Sequence, residues 1–378
     1  MGTRTAVRLH AANASVAVHS NTPAVTDWAR RYVGPWWHAV SVPAASVGVE
    51  PLIMADVDPG LYEAMAGLVH ARPHEETVYA RTPILTARDT DDSVIAVSPA
   101  DQLAYRSEPG IGALIIAGCE AEPVALAAAR LAREMMRGQL LRDGWVVLHA
   151  SAVTAPDGRT VLAFGSKGSG KTTTALLLAS QGWGLLANDR VFARPCADGV
   201  EISPWPSAAA IGLGLLDALG WYDITRKRLQ AGEQLHPTQD SRVTAALLAG
   251  DRTPLWEPGG KRELKAQVFP DQFETWFGLR LSTSGHAAAL LFPRIEPGAT
   301  PGIAETTSTL TDHDFMSGAT EDRYPDIFGL AQGIDGGGRA EDRAAVAAQM
   351  AELPHHSVVL GHDCADNAAF LAKLAEAC

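Results

Sequence analysis

Apolar and polar residues alternate in part over residues 4–18 and 84–97, both rich in Val, Ile, Thr and Ala, which predicts half-buried strands. Val25 to Trp37 instead reads as a short helix that stops at Gly34-Pro35, and the Trp36-Trp37 pair is expected to pack rather than to hold a ligand. From Glu122 to Leu141 the positions Leu126, Ala129, Leu131, Met135, Met136 and Leu140 recur near helical spacing. One long amphipathic helix is expected there, with Arg130, Arg133, Arg137 and Arg142 as a solvated face.

The character changes at Trp145. Trp145 to His149 and Thr160 to Phe164 are apolar runs of buried-strand type, separated by a Pro156-Asp157-Gly158 turn, and the second runs straight into a glycine-rich loop. Lys171 to Ser180 continues as a helix that stops near Gly182, and Trp183 to Ala187 returns as a strand ending on Asn188-Asp189. Further on, Ala287 to Phe292 and Ser357 to Leu360 read as strands, Ala344 to Leu353 and Asp366 to Ala377 as helices, and Gly333 to Gly338 as a mobile loop. No repeat of fixed period interrupts this order.

The 378 residues exceed what one hydrophobic core organises. The pattern therefore divides into a small α/β N-terminal lobe over 1–118, a linking helix over 119–142 and an α/β catalytic domain over 143–378.

Composition narrows the function classes. Hydrophobic residues make up 47% and charged residues 20%, a globular balance. A net charge of −12 without a basic run argues against nucleic acid or anionic lipid as a partner. The four cysteines, Cys119, Cys196, Cys364 and Cys378, lack the spacing of a disulfide framework or a zinc site. The N-terminus has no apolar signal core, and no apolar run approaches the length of a membrane span, so a cytoplasmic location is expected.

The chemistry sits in Gly165-Ser166-Lys167-Gly168-Ser169-Gly170-Lys171-Thr172, a full match to G-x-x-x-x-G-K-[ST]. Glycines let a backbone wrap a triphosphate so that successive N–H groups converge on oxygen, and the helix that starts at Lys171 adds its positive end. Lys171 is expected on the β- and γ-phosphates, Thr172 on magnesium, and Thr173 beside them; the competing reading is a glycine-rich turn that binds nothing. Asp189, at the carboxyl end of the following strand, is expected to face the phosphates, or else to cap a turn. There is no N-K-x-D or L-S-G-G-Q segment, which disfavours a GTPase or a transporter ATPase.

Leu148-His149-Ala150-Ser151-Ala152-Val153, the loop, and Gly184-Leu185-Leu186-Ala187-Asn188-Asp189 together resemble the HPr kinase/phosphorylase superfamily, whose broader branch includes kinases of peptide natural products. The resemblance covers residues 143 to 195. It implies a mixed sheet similar to phosphoenolpyruvate carboxykinase, ATP or GTP with Mg2+ as cofactors, and Asp189 as general base toward an acceptor hydroxyl. It also implies a place for His149 beside the γ-phosphate or Asp189; read alone, His149 is a hydrogen-bonded core histidine. The family usually carries two aspartates where this chain has Asn188-Asp189, and its later acidic signature is replaced by Glu201-Ile202-Ser203-Pro204-Trp205-Pro206, so HPr is not the expected substrate.

Two other clusters were weighed. Pro258-Gly259-Gly260-Lys261-Arg262-Glu263-Leu264-Lys265 places three cations behind a glycine pair, either as a loop that closes over the phosphoryl group through Lys261 and Arg262 or as a solvated basic loop. His355-His356 and His362-Asp363-Cys364 fit no common metal spacing. The expected activity is transfer of the γ-phosphoryl group to an alcohol, either a sugar or nucleoside hydroxyl or a peptide serine in a biosynthetic pathway. The alternatives are a nucleotide-responsive regulatory protein closing Gly333 to Gly338 without transfer, and carboxykinase-like chemistry on an oxo-acid. Homo-oligomerisation stays open.

Overall fold

The structure is a computed structural model that describes residues 4–44, 50–89, 93–317, 325–331, 333–334 and 336–378. Met1-Gly2-Thr3, and Asp335 within the expected Gly333 to Gly338 loop, lie outside the described residues. The fold is α/β with mixed sheets, and the chain divides into two compact units. One comprises 1–147 with 315–343 and the other 148–314 with 344–378, so positions 118 and 142 both fall inside the first.

The first unit is built from β1 (Thr5–Ala11), β2 (Ala14–Ser20), α1 (Pro23–Tyr32), β3 (Val40–Pro43), β4 (Leu52–Val57) and α2 (Pro59–His70). It continues through β5 (Glu75–Tyr79), β6 (Thr82–Arg88), β7 (Val94–Ser98), β8 (Leu103–Glu108), β9 (Ala113–Gly118) and α3 (Ala121–Arg142). Its sheet runs β3-β1-β2-β4-β9-β8-β7-β6-β5, with the β2-β4 and β4-β9 pairs parallel. Tyr62, Met65, Ala66 and Val69 of α2, at helical spacing, bury against Ile95 and Val97, which share one face of β7, and against Ala87, Ala104 and Ala117. Trp36 and Trp37 are core residues.

The arginine face expected on α3 is corrected. Arg133 and Arg137 are buried, the latter at 0% exposure, because the Ala-rich helix is covered around most of its circumference. The charges are matched locally: Arg133 donates to the Tyr32 hydroxyl at 2.8 Å, and Arg137 donates to the buried Glu134 carboxylate at 3.0 Å. Arg142, at the end of the helix, is exposed as expected.

The chain passes between units in β10 (Val146–Leu148). In the second unit follow β11 (Ser151–Thr154), β12 (Arg159–Ala163), α4 (Lys171–Ser180), β13 (Gly184–Ala187), β14 (Val191–Cys196) and β15 (Gly199–Pro204). A segment of short elements comes next: β16 (Ala209–Ile211), α5 (Leu213–Ala218), α6 (Tyr222–Gln230), α7 (Ser241–Ala249), β17 (Leu255–Trp256), β18 (Glu263–Leu264), β19 (Ala266–Val268) and α8 (Pro270–Thr275). The remaining elements are β20 (Gly285–Ile295), β21 (Gly302–Ile303), α9 (Ala340–Ala351), β22 (His355–Leu360) and α10 (Cys364–Glu376).

The order β14-β15-β20-β12-β11-β13 forms the main sheet of this unit. β20 is longer than its apolar stretch predicts because it serves three partners: its start pairs with β15, its middle lies parallel to β12, and its end lies parallel to β22. β11 runs antiparallel to both β12 and β13, so β12, β13 and β20 share one direction and their carboxyl ends share one edge. Every residue of β11 and β13 is buried, and Ser151 and Thr154 keep polar partners.

Candidate functional site

That shared edge is where ligands sit in open α/β sheets. At it, β12 passes into Gly165–Gly170 and then α4. The pairing of β12 with β20 persists to the loop itself through Phe164 N donating to Leu291 O at 2.8 Å. Gly165 has φ of +130°, and a β-carbon there would stand 2.8 Å from Ser169 Oγ. Gly170 has φ of +108°, with Ile295 side-chain atoms 3.0 and 3.1 Å from where its β-carbon would be. Both positions demand glycine for backbone conformation and for space.

The first helical hydrogen bond of α4 is from Thr174 N to Gly170 O at 2.8 Å. The amides of Lys171, Thr172 and Thr173 therefore precede it, at the positive end of the helix. Lys171 Nζ donates to Gly165 O at 2.6 Å and to Ser166 O at 3.2 Å, so the ammonium lies over the loop. Burial lowers the pKa of Lys171 below the ordinary lysine value, and the nearby carboxylates of Asp189 and Asp314 partly oppose that shift. Lys167 and Gly168, at the tip, are exposed.

Asp189 follows the carboxyl end of β13. Its side chain is 49% exposed and pairs with Arg190 at 3.4 Å. Asn188 points elsewhere: only 4% of it is exposed, its Oδ1 accepts from Ser207 Oγ at 3.1 Å, and its Nδ2 donates to Ala208 O at 3.4 Å. The backbone oxygen of Asn188 accepts from Ser151 Oγ at 2.6 Å and from Thr172 Oγ1 at 3.3 Å, which ties β11 and the first turn of α4 to the end of β13. His149 is half-buried, and its backbone N donates to Asp314 O at 2.7 Å.

Sequence reasoning missed three of these residues. Asp314 reaches the site through a contact across the sequence with His149, and no local pattern marks it. Arg190 follows Asp189 directly, and Ser151 opens β11 two residues after His149, so both stood close to singled-out positions.

The cationic segment 261–265 is not brought to the phosphate loop by any hydrogen bond or ion pair among the described residues. Residues 255–264 close as the β17-β18 hairpin, in which Arg262 pairs with Glu257, while Lys265 and Glu263 lie 3.9 Å apart. Lys261 is exposed on that hairpin.

Among the described residues no cluster of three or more His, Cys, Asp or Glu side chains could hold a metal on its own. Thr172 and Asp189 supply one hydroxyl and one carboxylate, a set that suits Mg2+, which is commonly held by one or two carboxylates together with substrate phosphates rather than by a protein cage. No helix among those residues is long and apolar enough to cross a membrane. No model of a known protein family matches the chain, and no curated protein matches it.

Proposed function

We propose that the chain is a nucleoside-triphosphate-dependent kinase that transfers the γ-phosphoryl group to an alcohol, with a core of the HPr kinase and phosphoenolpyruvate carboxykinase type. The observation that carries this reading is the placement of Lys171 and Asp189 on one sheet edge, with the Asp189 carboxylate close enough to act on the Lys171 ammonium.

The loop amides and Lys171 hold the triphosphate, and Thr172 with Asp189 would hold Mg2+. That ion, when bound, supplies charge neutralisation at the phosphate oxygens. The acceptor oxygen bonds to the γ-phosphorus as the bond from that phosphorus to the β,γ-bridging oxygen breaks. The nucleoside diphosphate leaves, and the hydroxyl proton passes to an Asp189 carboxylate oxygen. Carboxylates are weak bases, so Asp189 contributes chiefly by orienting the hydroxyl. A protein that only sensed the nucleotide would need no such group.

The acceptor is a small-molecule or peptide hydroxyl. The test is a panel of sugars, nucleosides and serine peptides incubated with γ-labelled ATP or GTP, and label should appear on one alcohol class. Label that never leaves the triphosphate with any acceptor overturns the reading.

A further inference from the structure

A cleft of about 300 Å³ opens beside the phosphate loop, with Ser166 and Ser169 on one wall and Thr306, Ser308 and Ser357 on the other. Phe292 also lines it, in a stack of rings whose centroids lie 5.9 Å from Phe164 and 6.4 Å from His355. The volume is at the low end of the range for small-molecule sites, which begins near 300 Å³. It suits one ring system with a sugar rather than a peptide.

Its place on the sheet decides what enters. Asp189 stands at the end of β13, which lies beyond β11 on one side of β12. The cleft lies on the opposite side, where Pro293 and Arg294 sit near the carboxyl end of β20 and Ser357 and Val358 belong to β22. A triphosphate gripped at Lys171 with its terminal phosphoryl turned toward Asp189 directs its other end over β20. One further observation points to a ligand there. Ser169 Oγ is buried and has no hydrogen-bond partner among the described residues. On the opposite wall Ser308 N donates to Ser357 Oγ at 2.8 Å, which joins the two lining segments. Among the described residues no carboxylate lines the cleft, and Arg294 pairs with Glu296 at 2.9 Å. Apart from Arg294 the lining is hydroxyl and apolar, the chemistry of a ribose and a base.

We propose that this cleft holds the nucleoside end of the triphosphate, with the serine and threonine hydroxyls addressing ribose and base edges and the Phe292 side supplying an apolar wall. The proposal rests on the donor reading above, and the experiment separates the two. Affinities for Mg-ATP and for inorganic tripolyphosphate with Mg2+ are measured by calorimetry on the wild type, Ser308→Trp and Thr306→Trp, with thermal melting as the check on folding. Both substituted residues lie on an exposed segment, so a bulky side chain fills the cleft without entering the core.

ATP should bind the wild type at least about tenfold more tightly than tripolyphosphate, and the tryptophan variants should lose that advantage while their tripolyphosphate affinity stays within about twofold. Equal affinity of the wild type for the two probes overturns the proposal. So does unchanged ATP binding in both variants, or a parallel loss of both probes in variants that melt like the wild type. Lys171→Ala that keeps tripolyphosphate binding would instead overturn the phosphate-loop reading, whatever the cleft does.

Discussion

Two segments of this chain carry the same ingredients, glycines followed by cations, and the fold treats them in opposite ways. In Gly165–Thr172 the glycines sit between a buried strand and a helix, and Lys171 is half-buried over loop carbonyls with carboxylates nearby. In 258–265 the glycines close a hairpin of two-residue strands, where Arg262 and Lys265 have acidic neighbours in Glu257 and Glu263. The first setting suits a phosphate ligand, because the fold takes the cation partly out of water and orients backbone donors beside it. A cation on an exposed hairpin beside an acid stays a surface ion pair.

The largest effect that would break this contrast is on the chemical step. Asp189→Asn should lower the transfer rate by about 10²- to 10⁴-fold while leaving nucleotide affinity near wild type, measured by single-turnover label transfer alongside calorimetry. Lys171→Ala should weaken Mg-ATP binding by about a hundredfold, the order expected when charge-assisted contacts of about 1.5–3 kcal/mol are lost. A variant at Lys171 that binds as the wild type does would erase the distinction between the two segments.

Asn188 sharpens the comparison from the side of stability. Its amide donates to Ala208 O, which a carboxylate cannot do, and the site is buried. Asn188→Asp should therefore destabilise the protein by about 1–3 kcal/mol in denaturant unfolding, without raising the transfer rate. A faster, equally stable variant would show that residue 188 can turn toward the phosphates.

A smaller effect concerns proton linkage. On the proposed reading triphosphate binding needs Lys171 protonated, and burial has lowered its pKa in the free protein. Affinity should be full below that lowered pKa and fall as pH rises through it, since Lys171 facing a bound phosphate keeps the proton that the free lysine has begun to lose. Asp314→Asn removes one of the two carboxylates that hold the pKa up, so the alkaline limb should begin at lower pH. Lys171→Arg should abolish the limb, because a guanidinium does not titrate in this range. Identical limbs in wild type and Asp314→Asn, followed by titration calorimetry, would remove Asp314 from the site.

The strand, glycine loop and helix around Gly165–Thr172 were legible because their determinants are local: an apolar run, glycines at fixed offsets and a helix that begins at Lys171. The strand after them was legible for the same reason. Asp314 was not, since it is placed by a hydrogen bond to His149 from a distant part of the chain, and no periodicity reports such a pairing. The α3 arginines were misread because a helix pattern shows which positions are polar but not whether Tyr32 or Glu134 waits beside them. The length of β20 was underestimated because its partners β15 and β22 lie outside any local window.

The smallest expected effect bears most directly on the opening contrast. Arg262→Ala should change Mg-ATP affinity by less than about twofold and stability by less than about 1 kcal/mol, the ordinary range for an exposed ion pair. Arg262 is 53% exposed, and its Glu257 partner is 36% exposed, so water already screens the charge. Lys261→Ala should behave alike. If the hairpin closes over the phosphoryl group during turnover, the double variant will keep its ATP affinity and lose transfer rate, since the added charge would act only as the transition state forms. Single-turnover rates of the double variant, set against those of Asp189→Asn, separate a surface hairpin from a closing one.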